Sequence, residues 1–239
     1  MSWLTMARNP EPEVMGDEEA VSAYDAAASQ KHLDAIDNTL VELVLTLGPG
    51  GKAPVGTLLD LGCGPGRITM KIAARCPQLQ LVGVDRSGTM LRFARRAAEE
   101  QRLAGRVFFV RADAARLGFP DGTFDFVLSN SVLHHLSSPR AVLEEMARVA
   151  KPDGTVLVRD LRRPSWLAFP FHVRWHGRNY SGAMRKLFED SVRAAYTPEE
   201  LAELLRASGM SKARIFLHKG AHMGFVYGTD SETCPAGVK

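Results

Sequence analysis

The stretch LLDLGCGPGR, residues 58–67, limits what this chain can fold into more than any other. A short apolar run ends in an acid, and Gly62, Gly64 and Gly66 follow at alternate positions. Such a run reads as a buried strand. The glycines then read as a tight turn whose bare backbone can approach a ligand. Arg67 would open a helix whose N-terminal amides can meet a carboxylate. The strand–turn–helix pattern repeats down the chain. Strands are expected at 57–61, 79–85, 106–113, 124–130 and 154–161, with helical patterns at 67–76, 87–102 and 139–150 between them. Alternation at this spacing implies a doubly wound α/β fold with a mostly parallel sheet and right-handed crossovers. Ligands in such sheets sit at the carboxyl ends of the strands, at the switch point beside the first strand.

Upstream, Leu33, Ile36, Leu40, Leu43, Val44 and Leu47 fall on one face of a helix, and GPGGKAPVG, residues 48–56, reads as a linker. Downstream, Thr197, Pro198 and Glu200 form a helix-start signal for 197–208. Strands follow at 213–218 and 222–228, too close for a helical crossover, so the last of seven strands should run antiparallel to its neighbour. The expected organisation is a helical cover over 1–54 with Tyr24, a core over 55–160, a helical lid over 161–196, a return to the core over 197–228 and a flexible tail over 229–239. Pro10–Met15 would join the cover or lie loose.

The 45% apolar and 24% charged composition is that of an ordinary folded domain, and a net charge of +3 demands neither nucleic acid nor membrane. Cys63, Cys76 and Cys234 are odd in number and lack CxxC spacing, which suggests neither a disulfide framework nor a metal site and makes the cytoplasm the expected compartment. No leader pattern and no membrane-spanning apolar run is evident.

A GxGxxG dinucleotide loop fails in both registers, at Arg67 and at Thr69, and the GK[ST] of a Walker loop is missing. What remains is an acid-flanked GxGxG. Asp60 would repel a phosphate but suits an ammonium group. S-adenosylmethionine carries one, with a sulfonium and a nucleoside and no phosphate. Asp85 ends the second strand about 20 residues after Gly64, where a carboxylate accepts both ribose hydroxyls. Asp113, closing the third strand, can accept from an adenine amino group, with the Ala114 amide beside it as a donor.

LLDLGCGPGR, VGVDRSGTML, RADAARLGFPDGTFDFVLSNSVLHHL and EMARVAKPDGTVLVRD resemble, in order, the successive motifs of class I S-adenosylmethionine-dependent methyltransferases. Within that class they are similar to the type 11 branch that includes the ubiquinone/menaquinone C-methyltransferases. The likeness covers roughly residues 55–160 and implies a Rossmann-like fold. It also implies cofactor contacts at Gly62, Gly64, Asp85, Arg86, Asp113, Ala114 and Asn130. Asp60, Cys63, Gly66, Met90 and Ser131 complete the candidate set, although Asp60 could equally cap the turn and Cys63 fill buried space.

Methyl transfer from a sulfonium is an in-line displacement from an activated leaving group, so alignment and water exclusion dominate. His134 and His135, after the fourth strand, are candidate bases. Ser129-Asn130-Ser131-Val132 lacks the prolines of the nucleic-acid amino-methyltransferase signature, which disfavours nucleic-acid substrates. Residues 159–193 hold Trp166, Trp175, Phe169, Phe171, Phe188, Tyr180, His172 and His176, with eight basic residues against three acids. As a lid they would suit an aromatic or anionic small substrate, with His172 and Tyr180 as further catalytic candidates. A non-catalytic cofactor-binding partner subunit and sulfonium-assisted chemistry other than methylation stay open at this point. So do the acceptor atom and the oligomeric state.

Overall fold

The computed structural model describes residues 6–10 and 31–228. The expectations for Tyr24, for residues 11–15 and for the 229–239 tail with Cys234 lie outside them. Seven strands form one sheet: β1 Gly56–Leu61, β2 Leu79–Asp85, β3 Val107–Arg111, β4 Phe124–Asn130, β5 Ala150–Leu161, β6 Arg214–His218 and β7 His222–Gly228. Their order is β3-β2-β1-β4-β5-β7-β6, and only β7 runs against the rest. The helices are α1 Lys31–Val44, α2 Arg67–Arg75, α3 Gly88–Glu100, α4 Pro139–Val149, α5 Phe169–His176, α6 Gly182–Ala194 and α7 Pro198–Ala207. Among the described residues no helix is long and apolar enough to cross a membrane.

Strand alternation sorts the core. In β1, Leu58 packs with Leu40, Val44 and Ile72 of α1 and α2, while Leu59 and Leu61 pack with Val142, Met146 and Leu201 of α4 and α7. Each fully buried aliphatic side chain stabilises the fold by about 1.5–3 kcal/mol, so both faces of the sheet are held. The capping box of α7 forms as its sequence implies. Glu200 N donates to Thr197 Oγ1 at 3.3 Å and Thr197 N to Glu200 Oε2 at 2.9 Å.

Three local expectations shift. The third strand stops at Arg111, where its pairing with β2 ends opposite Asp85. Asp113 instead shapes a turn, accepting from Ala115 N at 2.9 Å. The fifth strand begins earlier, at Ala150, through a register irregularity between Phe124 and Phe126. The 48–56 linker contains a 3-10 turn at Pro49–Gly51.

Residues 162–196 leave the sheet and return at one point. Arg162 bridges to Tyr196, and Arg163 N donates to Tyr196 O at 2.9 Å. The buried guanidinium of Arg163 donates to Ala195 O at 2.7 Å and pairs with Glu200. Above this seam α5 and α6 share a small core of Phe169, Val173, Val192 and Ala195 with Leu161 and Met6. Arg8 stitches the N-terminal strip to it, donating to Ala194 O at 2.6 Å and to His134 O at 2.9 Å.

Candidate active site

A cavity of about 1200 Å³ lies over the carboxyl ends of β1, β2, β4 and β5, closed on its far side by α1, α5 and α6. The glycine loop forms one end. Gly62 N and Cys63 N both donate to Val84 O, at 2.7 and 3.0 Å, pinning the loop to β2. Gly62 has φ +73°, and a Cβ there would stand 2.3 Å from Val132 Cγ2. Gly64, at φ +54°, faces open space, so its bare backbone is free to meet a ligand. Gly66 lies behind the wall, capping α2 in a left-handed conformation against Ala94 and Phe109.

Asp85 accepts from Gly64 N at 2.9 Å through one oxygen and from Ser87 N at 2.8 Å through the other. Each carboxylate oxygen keeps acceptor capacity, now in a fixed direction. Cys63, Arg86 and Met90 share this end of the wall, and Met90 N donates to Ser87 Oγ at 3.3 Å. Asp113, which is exposed, and Ala114 stand across from them. Asn130 and Ser131 reach the wall from the end of β4. Ser131 takes φ +56°, a strained value for a non-glycine residue, and its amide donates to Arg159 O at 2.9 Å.

Asp60 does not stand at the mouth, as its place before the glycines suggested. Alternation along β1 turns it toward α2, where it is buried and accepts from Thr69 Oγ1 at 2.5 Å. Burial pushes its carboxyl up to about 6, against the Thr69 hydrogen bond and helped by the charge of Asp85.

Of the four candidate catalytic side chains, His135 and Tyr180 line the cavity, whereas His134 and His172 do not. His134 is buried, with Nδ1 2.5 Å from Asp160 Oδ1 and its amide donating to Asp160 Oδ2 at 2.9 Å. Burial works against the Asp160 charge, but His134 and the backbone amides outweigh it and hold the carboxyl low. His135, stacked 3.9 Å from the His134 ring, is lowered to about 4, by burial first and by His134 second. His172 lies on the buried face of α5 with Nε2 unpartnered, lowered to about 4 by burial and by His176. Tyr180 meets His32 at 5.7 Å and Phe188 at 5.2 Å between ring centres.

Sequence reasoning treated Arg159 only as part of a basic segment. It is 1% exposed and lines the cavity, with Nε donating to Asn130 Oδ1 at 2.8 Å and Nη1 to Ile36 O and Thr39 Oγ1 at 3.1 and 2.9 Å. Its Nη2 has no partner, and burial pulls the group down to about 10. His222 on the same wall was also missed. It opens β7 opposite Leu161: an antiparallel strand enters a sheet at the edge where its parallel neighbours end, so strand order was the missing signal.

Among the described residues no group of three or more His, Cys, Asp or Glu side chains is placed to hold a metal ion. An open-backbone loop, a rigid carboxylate at the end of β2 and a second one beyond β3 fit the amino-acid, ribose and adenine parts of S-adenosylmethionine. A family profile described as a methyltransferase domain matches residues 59–158. Fold, site and profile together define a class I S-adenosylmethionine-dependent methyltransferase.

The chain is 36% identical over 172 residues to the demethylmenaquinone methyltransferase of Thermus thermophilus, covering 67% of this chain and 76% of that one. It is 30% identical over 191 residues to the demethylmenaquinone methyltransferase of a Geobacillus species, 75% of this chain and 78% of that one. A crystal structure of a SAM-dependent methyltransferase from Aquifex aeolicus superposes with a TM-score of 0.65 at 20% identity, over 88% of this chain and 97% of that one, a likeness of fold. Within its class, the chain belongs to the branch of the ubiquinone/menaquinone C-methyltransferases.

Proposed function

We propose that this enzyme methylates a small aromatic or anionic acceptor, held between α1, α5 and α6, with residues 161–196 as the recognition lid. The observation that carries the reading is one continuous cavity of about 1200 Å³ from Gly64 and Asp85 to Trp175 and Tyr180. That exceeds the ~300–1,000 Å³ usual for a single small ligand, leaving room for an acceptor beside the cofactor.

When bound, S-adenosylmethionine supplies a methyl group on a sulfonium, already a good leaving group. The protein then has to bind, orient and exclude water. In this reading Asp85 accepts from the ribose hydroxyls, while Asp113 and Ala114 meet the adenine. Gly62 and Gly64 make room for the amino-acid portion. Cys63, Arg86, Met90, Asn130 and Ser131 complete the wall, and Gly66 sets the start of α2. Asp60 acts on the ammonium end through its charge and its hold on Thr69 rather than by contact.

At the far end the rings of Trp175, Tyr180 and Phe188 suit a planar acceptor, and Arg159, Arg178 and Lys219 outnumber Asp37 on the wall, which favours negative charge. His135, held at about 4, stays neutral at pH 7. It can accept a hydrogen bond from an acceptor hydroxyl but is too weak a base to remove a phenolic proton outright. An acceptor that ionises readily, or a ring carbon activated by neighbouring oxygens, fits best. The quinone-directed names of the two relatives make a hydroquinone ring the first compound to try.

The test is transfer of labelled methyl to a panel of planar hydroxylated aromatics, carboxylated and neutral, beginning with a reduced naphthoquinone and including aliphatic amines, with product analysis to show where the methyl goes. Turnover of planar, ionisable members and none of aliphatic amines is expected. No turnover of any member by protein that binds S-adenosylhomocysteine in calorimetry would reject the acceptor class and leave the cofactor assignment standing.

A further inference from the structure

Among the described residues, exposed large apolar side chains are concentrated in one place. Trp166 (49% exposed), Leu167 (54%), Phe171 (74%) and Trp175 (66%) lie in or just before α5. The others lie in smaller numbers elsewhere: Val55 before β1, Phe108 and Val110 as a pair on the edge strand β3, Leu217 on the edge strand β6, and Leu187 on α6, which shares the cavity wall with Trp175. The buried side of α5 carries Phe169, His172 and Val173. Leu167, Phe171 and Trp175, spaced four residues apart, share the opposite side, beside Arg174 and Arg178. The Arg178 guanidinium lies 4.8 Å over the Trp175 ring. From residue 161 to residue 188 there is no Asp or Glu, against Arg162, Arg174, Arg178 and Arg185, while Arg163 is buried on Glu200 and Lys186 pairs with Asp190. Trp175, Arg178 and Leu187 also line the cavity, so the patch adjoins its wall.

We propose that this face of α5 docks on an anionic bilayer surface, setting the wall of the cavity that Trp175 lines beside the lipid boundary. An apolar stripe with aromatic rings beside arginines is the chemistry of a helix that lies in the interface plane, its rings at headgroup depth and its cations on anionic lipid. Eight residues of helix span about 12 Å, enough to lie on a bilayer and too little to cross one. A second copy of the chain is a poor occupant. A self-paired contact would bring two arginine-bearing faces together, since each copy contributes the same Arg174 and Arg178. The inference rests on exposure and charge on the outer face and does not depend on the acceptor chemistry proposed above.

The test is co-flotation of the full chain with vesicles of phosphatidylcholine alone and of phosphatidylcholine with phosphatidylglycerol, read also through fluorescence of Trp166 and Trp175. Binding to the anionic vesicles, weakened by salt, is expected, with roughly tenfold or greater loss in L167E/F171E and a smaller loss in R174E. Leu167, Phe171 and Arg174 do not line the cavity, so melting temperature and S-adenosylhomocysteine affinity should stay as in the parent protein. Absence of wild-type binding to anionic vesicles would overturn the proposal, as would equal binding by L167E/F171E. So would a large fall in its melting temperature or conversion of a dimer to a monomer, which would assign the face to a covering within the protein or to a second copy. Binding to polyglutamate without binding to vesicles would assign it to an acidic protein and overturn it as well.

Discussion

The two ends of the cavity are built in opposite ways. At the glycine-loop end main-chain amides do the donating: those of Gly62 and Cys63 meet Val84 O, and those of Gly64 and Ser87 meet the carboxylate of Asp85, the one side chain on which this end depends. At the α5–α6 end the wall is made of side chains, several of them under stress from burial. Arg159 keeps an unpartnered Nη2, and burial drives His222 well below its ordinary range. The segment carrying α5 and α6 rejoins the sheet at Arg163 and Tyr196, is packed on Leu161 and is tied by Arg8 to Ala194 O and His134 O.

That contrast can be broken most sharply at the loop itself. Gly62→Ala meets both a positive φ and the Val132 side chain, and should cost about 3 kcal/mol or more of stability in thermal or urea melts, relieved in part by adding Val132→Ala. Gly64→Ala, facing open space, should leave most of the stability intact yet lower cofactor affinity by roughly tenfold or more, because its Cβ projects where the ligand must approach. If both variants lose only stability, the loop is a structural turn and no cradle.

Asp60→Asn should raise stability. The folded carboxyl sits at about 6, so between about pH 4 and 6 it keeps a proton that the unfolded chain releases. Its penalty therefore grows as pH rises through that window and is full above it, at most about 3 kcal/mol. The variant should melt higher at pH 7 and match the parent protein near pH 4. Asp85→Ala should weaken S-adenosylhomocysteine binding by about 1.5–3 kcal/mol in calorimetry, the scale of a charge-assisted hydrogen bond.

At the other end, Trp175→Ala should raise the acceptor KM by about tenfold, the worth of one aromatic contact, with cofactor affinity unchanged. A matching loss of cofactor affinity would erase the division between the two ends. The smallest effect belongs to His135. Because it is neutral above about pH 4, its own titration should leave the rate flat from about pH 5 to 8, and a rate limb near 6.5 that His135→Asn removes would contradict its burial.

The glycine loop, Asp85 at the end of β2 and the α7 cap were legible because each is a local pattern of a few neighbouring residues, whereas Asp113 falls in a turn beyond the shortened β3. Asp60 was misplaced, since parity along β1 sends it toward Thr69 rather than the mouth. His134 and His135 look alike in sequence, yet one is locked on Asp160 and the other lines the cavity. The role of Arg159 was hidden because its partners, Ile36, Thr39 and Asn130, are distant along the chain. His222 reached the wall only through the placement of β7 between β5 and β6.

Periodicity and turn chemistry alone therefore determined a doubly wound sheet and its glycine turn, because these follow from neighbours in the chain, whereas the cofactor class rested on the resemblance of four ordered motifs to a known family. Which histidines face the cavity, which arginine is buried at its wall and which aromatics are left on the surface were decided by tertiary structure. Those outcomes depend on how desolvation and long-range hydrogen bonds fall once distant elements meet, and no local pattern encodes them.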